Sequence, residues 1–378
     1  MHFHRLSSGL LLALLLHGNV MADAPMAWGY IGWWQPQSWR TAALGQMDRV
    51  LFFELKVGPT GEIAERNGWP ENWADLRLAV RQNNTPLDLT LTLFEPATFN
   101  SLFTSTDAIN RLLDATSLLA GSKDVDGLQL DFEIYSHARP DAIDRYREFV
   151  RELSKRLRQQ SPRKNLSIFL PVGGESRLYD SATLEQVDHV VLQGYDSHWL
   201  ESKTAGPVAP VTGTDAVTWE KAVALGASLG VPKTRMLLSF PLYGYEWKVK
   251  GRSLRSPTTG KGSPTSFAPI LVDRPHDIEV SVQDQVRRYG SSHDPISGSS
   301  YYQFRRKDGQ HMEGWFEDWW ALGRKVDYLL NEKLGGIAFF VLGYDDGQLV
   351  DYFFRRRGPR NLQGFIDQIE KVRTPPAQ

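Results

Sequence analysis

Eight short apolar runs recur along this chain, and most are followed by helical sequence. They fall at Trp28–Trp34, Arg49–Lys56, Leu87–Phe94, Val125–Glu133, Asn165–Pro171, Asp188–Tyr195, Arg235–Leu242 and Gly335–Leu342. A run such as Val50-Leu51-Phe52-Phe53 has no polar alternation. That pattern marks a strand covered on both faces, as in a parallel sheet. Between the runs, Asp107–Ala120, Pro140–Gln159, Trp219–Gly230 and Trp319–Glu332 carry helical spacing. Alternation of strand and helix implies a parallel sheet with helices outside, and a count of eight favours closure into a (β/α)8 TIM barrel. An open doubly wound α/β sheet is the alternative, but no glycine-rich phosphate loop follows the first strand.

One stretch interrupts the alternation. From 248 to 312, Gly, Ser, Pro and charge dominate, with Tyr301, Tyr302 and Phe304 as a strand-like run. That length is too great for a plain loop in a compact domain. A small α+β subdomain is therefore expected between strands seven and eight, beside the barrel mouth. The barrel then comprises 23–247 and 313–372, with a last helix over about Asn361–Val372. At the N-terminus, Arg5 precedes the apolar run Gly9–Leu16, and Val20 and Ala22 have the spacing a signal peptidase reads. Residues 1–22 are expected to be a signal peptide, and the protein to be exported, periplasmic or secreted. No later run approaches membrane-spanning length, so no membrane contact is expected after its removal.

Composition narrows the chemistry. The absence of cysteine excludes disulfides, thiolate metal sites and thiol nucleophiles. With 43 basic and 44 acidic side chains, no global field favours nucleic acid. The nine histidines show no metal-ligand spacing, so neither a metal nor another cofactor is expected. The 12 Trp and 13 Tyr fit a groove that stacks flat sugar faces, although many must belong to the core. A monomer is expected.

The fourth run, Val-Asp-Gly-Leu-Gln-Leu-Asp-Phe-Glu, carries the chemistry. In a strand, Leu128, Leu130 and Phe132 point one way, and Gln129, Asp131 and Glu133 the other. Acids on a core strand are rarely idle. Barrel active sites lie at the C-terminal ends of the strands. Those ends supply Asp131 and Glu133, then Gln193, Tyr195 and Asp196, then Tyr243, Tyr245 and Trp247, and finally Phe340. Trp199 and Trp315 are placed on flanking loops, and Tyr30 on the first strand. Asp131 and Glu133 stand about 7 Å apart along one strand face. That suits neither usual two-carboxylate geometry of a glycosidase. It suits an acid with a helper: Glu133 protonates the leaving oxygen, and Asp131 restrains its charge. No third carboxyl stands in an obvious place, so a substrate 2-acetamido oxygen could serve as nucleophile. Plainer roles compete: Tyr195 as a core phenol, and Asp196 as a helix cap.

The segment Asp126–Glu133 resembles the signature of glycoside hydrolase family 18, the chitinase family, whose usual form is Asp-Gly-x-Asp-x-Asp-x-Glu. Gln193-Gly194-Tyr195-Asp196 resembles the family's strand-six motif, Met-x-Tyr-Asp. Pro241–Tyr245 resembles its strand-seven end, and Gly335-Gly336-Ile337 the opening of its eighth strand. The insertion lies where chitinases carry a small α+β domain. The runs His311–Asp318 and Ile337–Gly343 are similar to the bacterial branch of spore-cortex and peptidoglycan-cleaving N-acetylglucosaminidases. The resemblance spans about 27–355. It implies Glu133 as general acid, Asp131 as the group assisting the acetamido moiety, and Tyr195 as the hydroxyl binding the acetamido oxygen. Substrate contacts are expected from Gln129, Gln193, Asp196, Tyr30, Trp199, Tyr243, Trp315 and Phe340.

The implied reaction is substrate-assisted, retaining hydrolysis of β-1,4-linked glycans containing N-acetylglucosamine, either chitin-like or peptidoglycan. The partner is thus a polysaccharide or oligosaccharide. Three departures stand out. Gln129 replaces the first Asp of the triad, Thr90–Glu95 replaces the family's Ser-x-Gly-Gly, and Phe340 replaces the Trp that floors the sugar site. The alternatives are a weakly active or inactive chitinase-like carbohydrate-binding protein, and a scaffold that uses the barrel face for protein contact.

Overall fold

The computed structural model describes residues 24–173 and 178–357. The signal peptide expected at 1–22 and the helix expected at Asn361–Val372 lie outside the described residues. The first half of the chain runs β1 (Met26–Gly32), β2 (Arg49–Val57), β3 (Ile63–Glu65), α1 (Ala74–Gln82), β4 (Leu87–Leu93), α2 (Pro96–Thr104), α3 (Thr106–Ala120) and β5 (Gly127–Phe132). It continues through α4 (Pro140–Gln159), β6 (Asn165–Leu170), α5 (Ser181–Leu184), β7 (His189–Leu192), α6 (Trp219–Ser228) and β8 (Met236–Pro241). Eight strands pair in parallel in the order β1, β14 (Gly336–Phe340), β8, β7, β6, β5, β4, β2, and β2 returns to β1. The sheet is therefore a closed (β/α)8 barrel, with β3 added antiparallel to β2.

Helix α4 shows why the outer layer forms. Pro140 opens it, where a missing N–H costs nothing. Ile143, Tyr146, Phe149, Val150, Leu153 and Leu157 recur at helical spacing and are all buried. Each such side chain contributes roughly 1.5–3 kcal/mol on burial. Tyr146 stacks on Phe132 of β5 with ring centroids 5.5 Å apart. The Leu128, Leu130 and Phe132 face of β5 thus packs on the helices, and the opposite face looks into the barrel. The interior holds Trp28, Tyr30, Leu51, Phe169, Val191, Leu237 and Ala338.

The insertion is a second, antiparallel sheet. Its elements are β9 (Tyr243–Val249), β10 (Ser263–Ser266), α7 (Val282–Tyr289), β11 (Ser292–Asp294), β12 (Ser299–Arg305) and β13 (His311–Phe316). The strand order is β10, β9, β13, β12, β11, and α7 packs on β12. This sheet begins at Tyr243 and ends at Phe316, wider than the 248–312 expected. The reason is local: β9 follows β8 after a single residue, Leu242, so its aromatic alternation reads as the end of a barrel strand. The chain then enters α8 (Trp319–Glu332), passes through β14 and ends the described part in α9 (Gln348–Arg357). Asp318 caps α8, its side chain accepting from the amide of Ala321 at 3.0 Å.

Candidate active site

Strand register sets the depth of each side chain on β5. Gln129 pairs across the sheet with Thr90 of β4 and Ser167 of β6, and Asp131 pairs with Thr92 one layer nearer the mouth. Gln129 is fully buried. Its Oε1 accepts from Thr90 Oγ1 at 3.3 Å, and its Nε2 donates to Ser167 Oγ at 3.4 Å. Asp131 is buried too, and its Oδ1 has no hydrogen-bond partner. Glu133 lies just beyond the strand, with its amide donating to Leu93 O at 3.0 Å.

The Asp131 and Glu133 carboxyls share the inward side of the strand end and influence each other's ionisation. Burial, and then the charges of Glu133 and Glu54, push the Asp131 carboxyl well above its ordinary range. Burial also raises Glu133, and the Asp196 charge adds to it. A hydrogen bond donated by Tyr135 Oη opposes the rise. Such a pair holds a proton more tightly than isolated carboxylates do, which is what a general acid near neutral pH requires.

The facing wall comes from β7, β8 and β14. Gln193 Oε1 accepts from Val172 N at 2.8 Å, which fixes its amide at the rim. Asp196 adopts φ 57°, in the left-handed region that Asp tolerates better than most residues. Its Oδ1 accepts from Tyr243 Oη at 2.7 Å and Tyr245 Oη at 3.1 Å. Asp196 is thus bound to two phenols rather than to a helix N-terminus. Burial pushes it up to about 6, against those two hydrogen bonds. Tyr195 lies against Phe340, ring centroids 5.7 Å apart at 31°, and meets Tyr243 edge-on at 5.9 Å. Tyr30 sits below, edge-on to Phe340 at 5.5 Å.

These walls enclose a cavity of about 420 Å³ lined by Glu133, Tyr135, Gly173, Gln193, Tyr195, Asp196, Trp199 and Val217. Glu133, Gln193, Tyr195, Asp196 and Trp199 therefore converge as expected neighbours. Asp131, Gln129, Tyr30, Tyr243 and Phe340 stand behind or beneath them. Trp315 does not join them. It is fully buried on β13, its Nε1 donating to Glu313 Oε1 at 2.7 Å, and its ring tilts against Tyr301. Its expected loop is a strand, and the register with Tyr245 and Tyr301 turns the ring into the second sheet.

The expectation that no third carboxyl stands nearby is also corrected. Glu54, on β2, is buried, and its Oε2 accepts from Thr92 Oγ1 at 2.6 Å. The β2–β4 register slips between Phe52 and Leu55. Simple alternation would send Glu54 to the face opposite Phe53. The slip lets Phe53 pack with the interior cluster while Glu54 reaches the inward hydroxyl of Thr92. The available signal was a lone acid in an apolar run. Tyr135, two positions beyond Glu133, is a further residue of the site that the strand motif does not include. Among the described residues, no group of three or more His, Asp or Glu side chains is placed to hold a metal ion.

The profile of the family described as "Glycosyl hydrolases family 18" matches residues 51–345. YdhD of Bacillus subtilis strain 168, provisionally named a sporulation-specific glycosylase, is 26% identical over 82% of this chain and 69% of its own length. The cortical fragment-lytic enzyme of Bacillus anthracis is 22% identical, covering 78% of this chain and 64% of that protein, so the chain spans under two thirds of it. Among solved structures, the spore cortex-lytic enzyme SleL of Bacillus megaterium QM B1551 superposes with a TM-score of 0.69 at 18% identity, over 88% of this chain and 75% of that one. A Cycas revoluta chitinase crystallised with (GlcNAc)3 superposes at 0.73, also at 18% identity, over 88% of this chain and all of that one.

Proposed function

This chain belongs to the glycosyl hydrolases of family 18, and on that premise we propose that it hydrolyses β-1,4-linked glycans containing N-acetylglucosamine, with retention of configuration. Glu133 gives its proton to the glycosidic oxygen as the C1–O bond breaks. The acetamido oxygen of the same sugar closes on C1, with Asp131 restraining the acetamido N–H and Tyr195 holding the oxygen. Water then attacks C1, returns a proton to Glu133 and reopens the ring. Trp199 and Phe340 offer apolar faces to the sugar.

The observation that carries this reading is the interacting Asp131–Glu133 pair, whose inner member is buried and whose outer member opens onto a cavity walled by Tyr195, Asp196 and Trp199. The names of the curated relatives favour a peptidoglycan-type glycan over chitin. Residues 1–22 are read as an export signal, which would bring the enzyme to such a substrate. Gln129, which supplies no carboxylate beside Asp131, favours a second reading as a slow or inactive glycan-binding protein. Purified protein incubated with chitooligosaccharides and with peptidoglycan, with products read by mass spectrometry, separates these. Shortened N-acetylglucosamine-containing products support hydrolysis. Saturable binding of the same glycans with no product supports the second reading.

A further inference from the structure

Asp131 is poorly served by its own strand. Its Oδ1 is buried and unpartnered, and the Gln129 amide is engaged by Thr90 and Ser167 instead. An amide at 129 also carries no charge. Across the sheet the arrangement differs. Thr92 of β4 is the register neighbour of Asp131, and its hydroxyl donates to Glu54 of β2. The backbone carbonyl of Glu54 accepts from Asn67 Nδ2 at 2.9 Å. The bulge in β2 aims it inward. The Thr92 hydroxyl and a fixed main chain hold this carboxylate in one place, two strands from Asp131.

We propose that Glu54 is a positioning residue of the reaction, supplying Asp131 from across the sheet with the carboxylate partner that Gln129 does not provide. The proposal rests on the roles given above to Asp131 and Glu133. Glu54 itself gains and loses no proton in the cycle: Glu133 gives one to the leaving oxygen and regains one from water. The charge of Glu54 sets how tightly the Asp131–Glu133 pair keeps that proton. The other titratable groups around Asp131 are the phenols of Tyr30, Tyr146, Tyr179 and Tyr195, all pushed further up by burial, so they stay neutral throughout. Asp196 and Tyr135 face Glu133, and Lys56 and Glu65 face Glu54 from the solvent side, where screening weakens them.

The sign follows. A general acid works while protonated, so its rate falls as pH rises through its pKa. A nearby negative charge raises that pKa. Glu54→Gln, nearly isosteric, should move the alkaline limb of the kcat/KM profile to lower pH by about one unit, with the folded state retained by circular dichroism. Adding Gln129→Asp restores a carboxylate beside Asp131 and should return the limb towards its wild-type position. A purely structural role for Glu54 would lower activity or Tm without moving the limb. That result, or superimposable profiles, overturns the proposal. A 13C-carboxyl titration of aspartate-labelled protein reads the same coupling without turnover, with the Asp131 signal identified by its loss in Asp131→Asn. Asp131 should titrate at lower pH in Glu54→Gln than in wild type. Identical titrations overturn the proposal even in an active enzyme, whereas absent turnover with shifted titrations overturns only the functional reading.

Discussion

Tyr243 Oη donates to Asp196 Oδ1 at 2.7 Å, joining the first residue of the inserted sheet to the loop that follows β7. The bond therefore ties the insertion to the cavity wall. Burial raises the Asp196 carboxyl from its ordinary 3.8 to about 6, while the phenols oppose that rise. The folded state thus binds this proton more tightly than the unfolded chain. Stability from this group falls as pH climbs from about 4 to about 6, and above that window the full cost is present. Tyr243→Phe removes a donor to the ionised form. It should cost about 1.5–3 kcal/mol at pH 7.5 and less at pH 5, where Asp196 is protonated. Denaturant unfolding at the two pH values checks this, and an equal loss at both contradicts it.

Glu317 and Lys325 form a fully buried ion pair at 2.5 Å between the end of the inserted sheet and α8. Glu317 also accepts from Ser299 Oγ at 2.7 Å, and Lys325 Nζ donates to Gly298 O at 3.2 Å. Burial pushes Glu317 up to about 7 and pushes Lys325 down, with each partner opposing the other's shift. Lys325→Met leaves a buried carboxylate without its cation and should cost roughly 3–5 kcal/mol. Lys325→Met with Glu317→Leu should recover most of that loss. Chemical denaturation of the single and double variants tests the coupling.

Two tryptophans placed in the groove by sequence reading should separate in experiment. Trp199 is 48% exposed and lines the cavity, whereas Trp315 is wholly buried. Trp199→Ala should raise KM for an oligosaccharide about tenfold, the equivalent of a stacking contact of roughly 1–1.5 kcal/mol, with Tm unchanged. Trp315→Ala opens a cavity in the inserted sheet and should cost about 3–5 kcal/mol of stability. Its KM should stay near wild type wherever the fold survives.

The barrel was legible because its signals are local and periodic. Pro140–Gln159 reads as a helix and is one, with the same ends, because a proline start and a regular apolar stripe coincide. Gln129, Asp131 and Glu133 read as one face because strand alternation requires it. What stayed hidden depends on contacts between strands. The slip that lets Glu54 reach Thr92 is a property of the β2–β4 register, which leaves no mark within the apolar run. The place of Trp315 follows from the pairing of β13 with β9 and β12, which nothing within its own short run of sequence reveals. The junction of β8 and β9 was blurred because a single residue separates them.

Glu133→Gln tests the central claim most directly. The substitution keeps the shape of the side chain and removes its transferable proton. Turnover of whichever N-acetylglucosamine glycan the wild type cleaves should fall by about 10²–10⁴, with Tm and glycan binding retained. Unchanged turnover in a folded Glu133→Gln protein would remove this carboxyl from the chemistry and contradict the account.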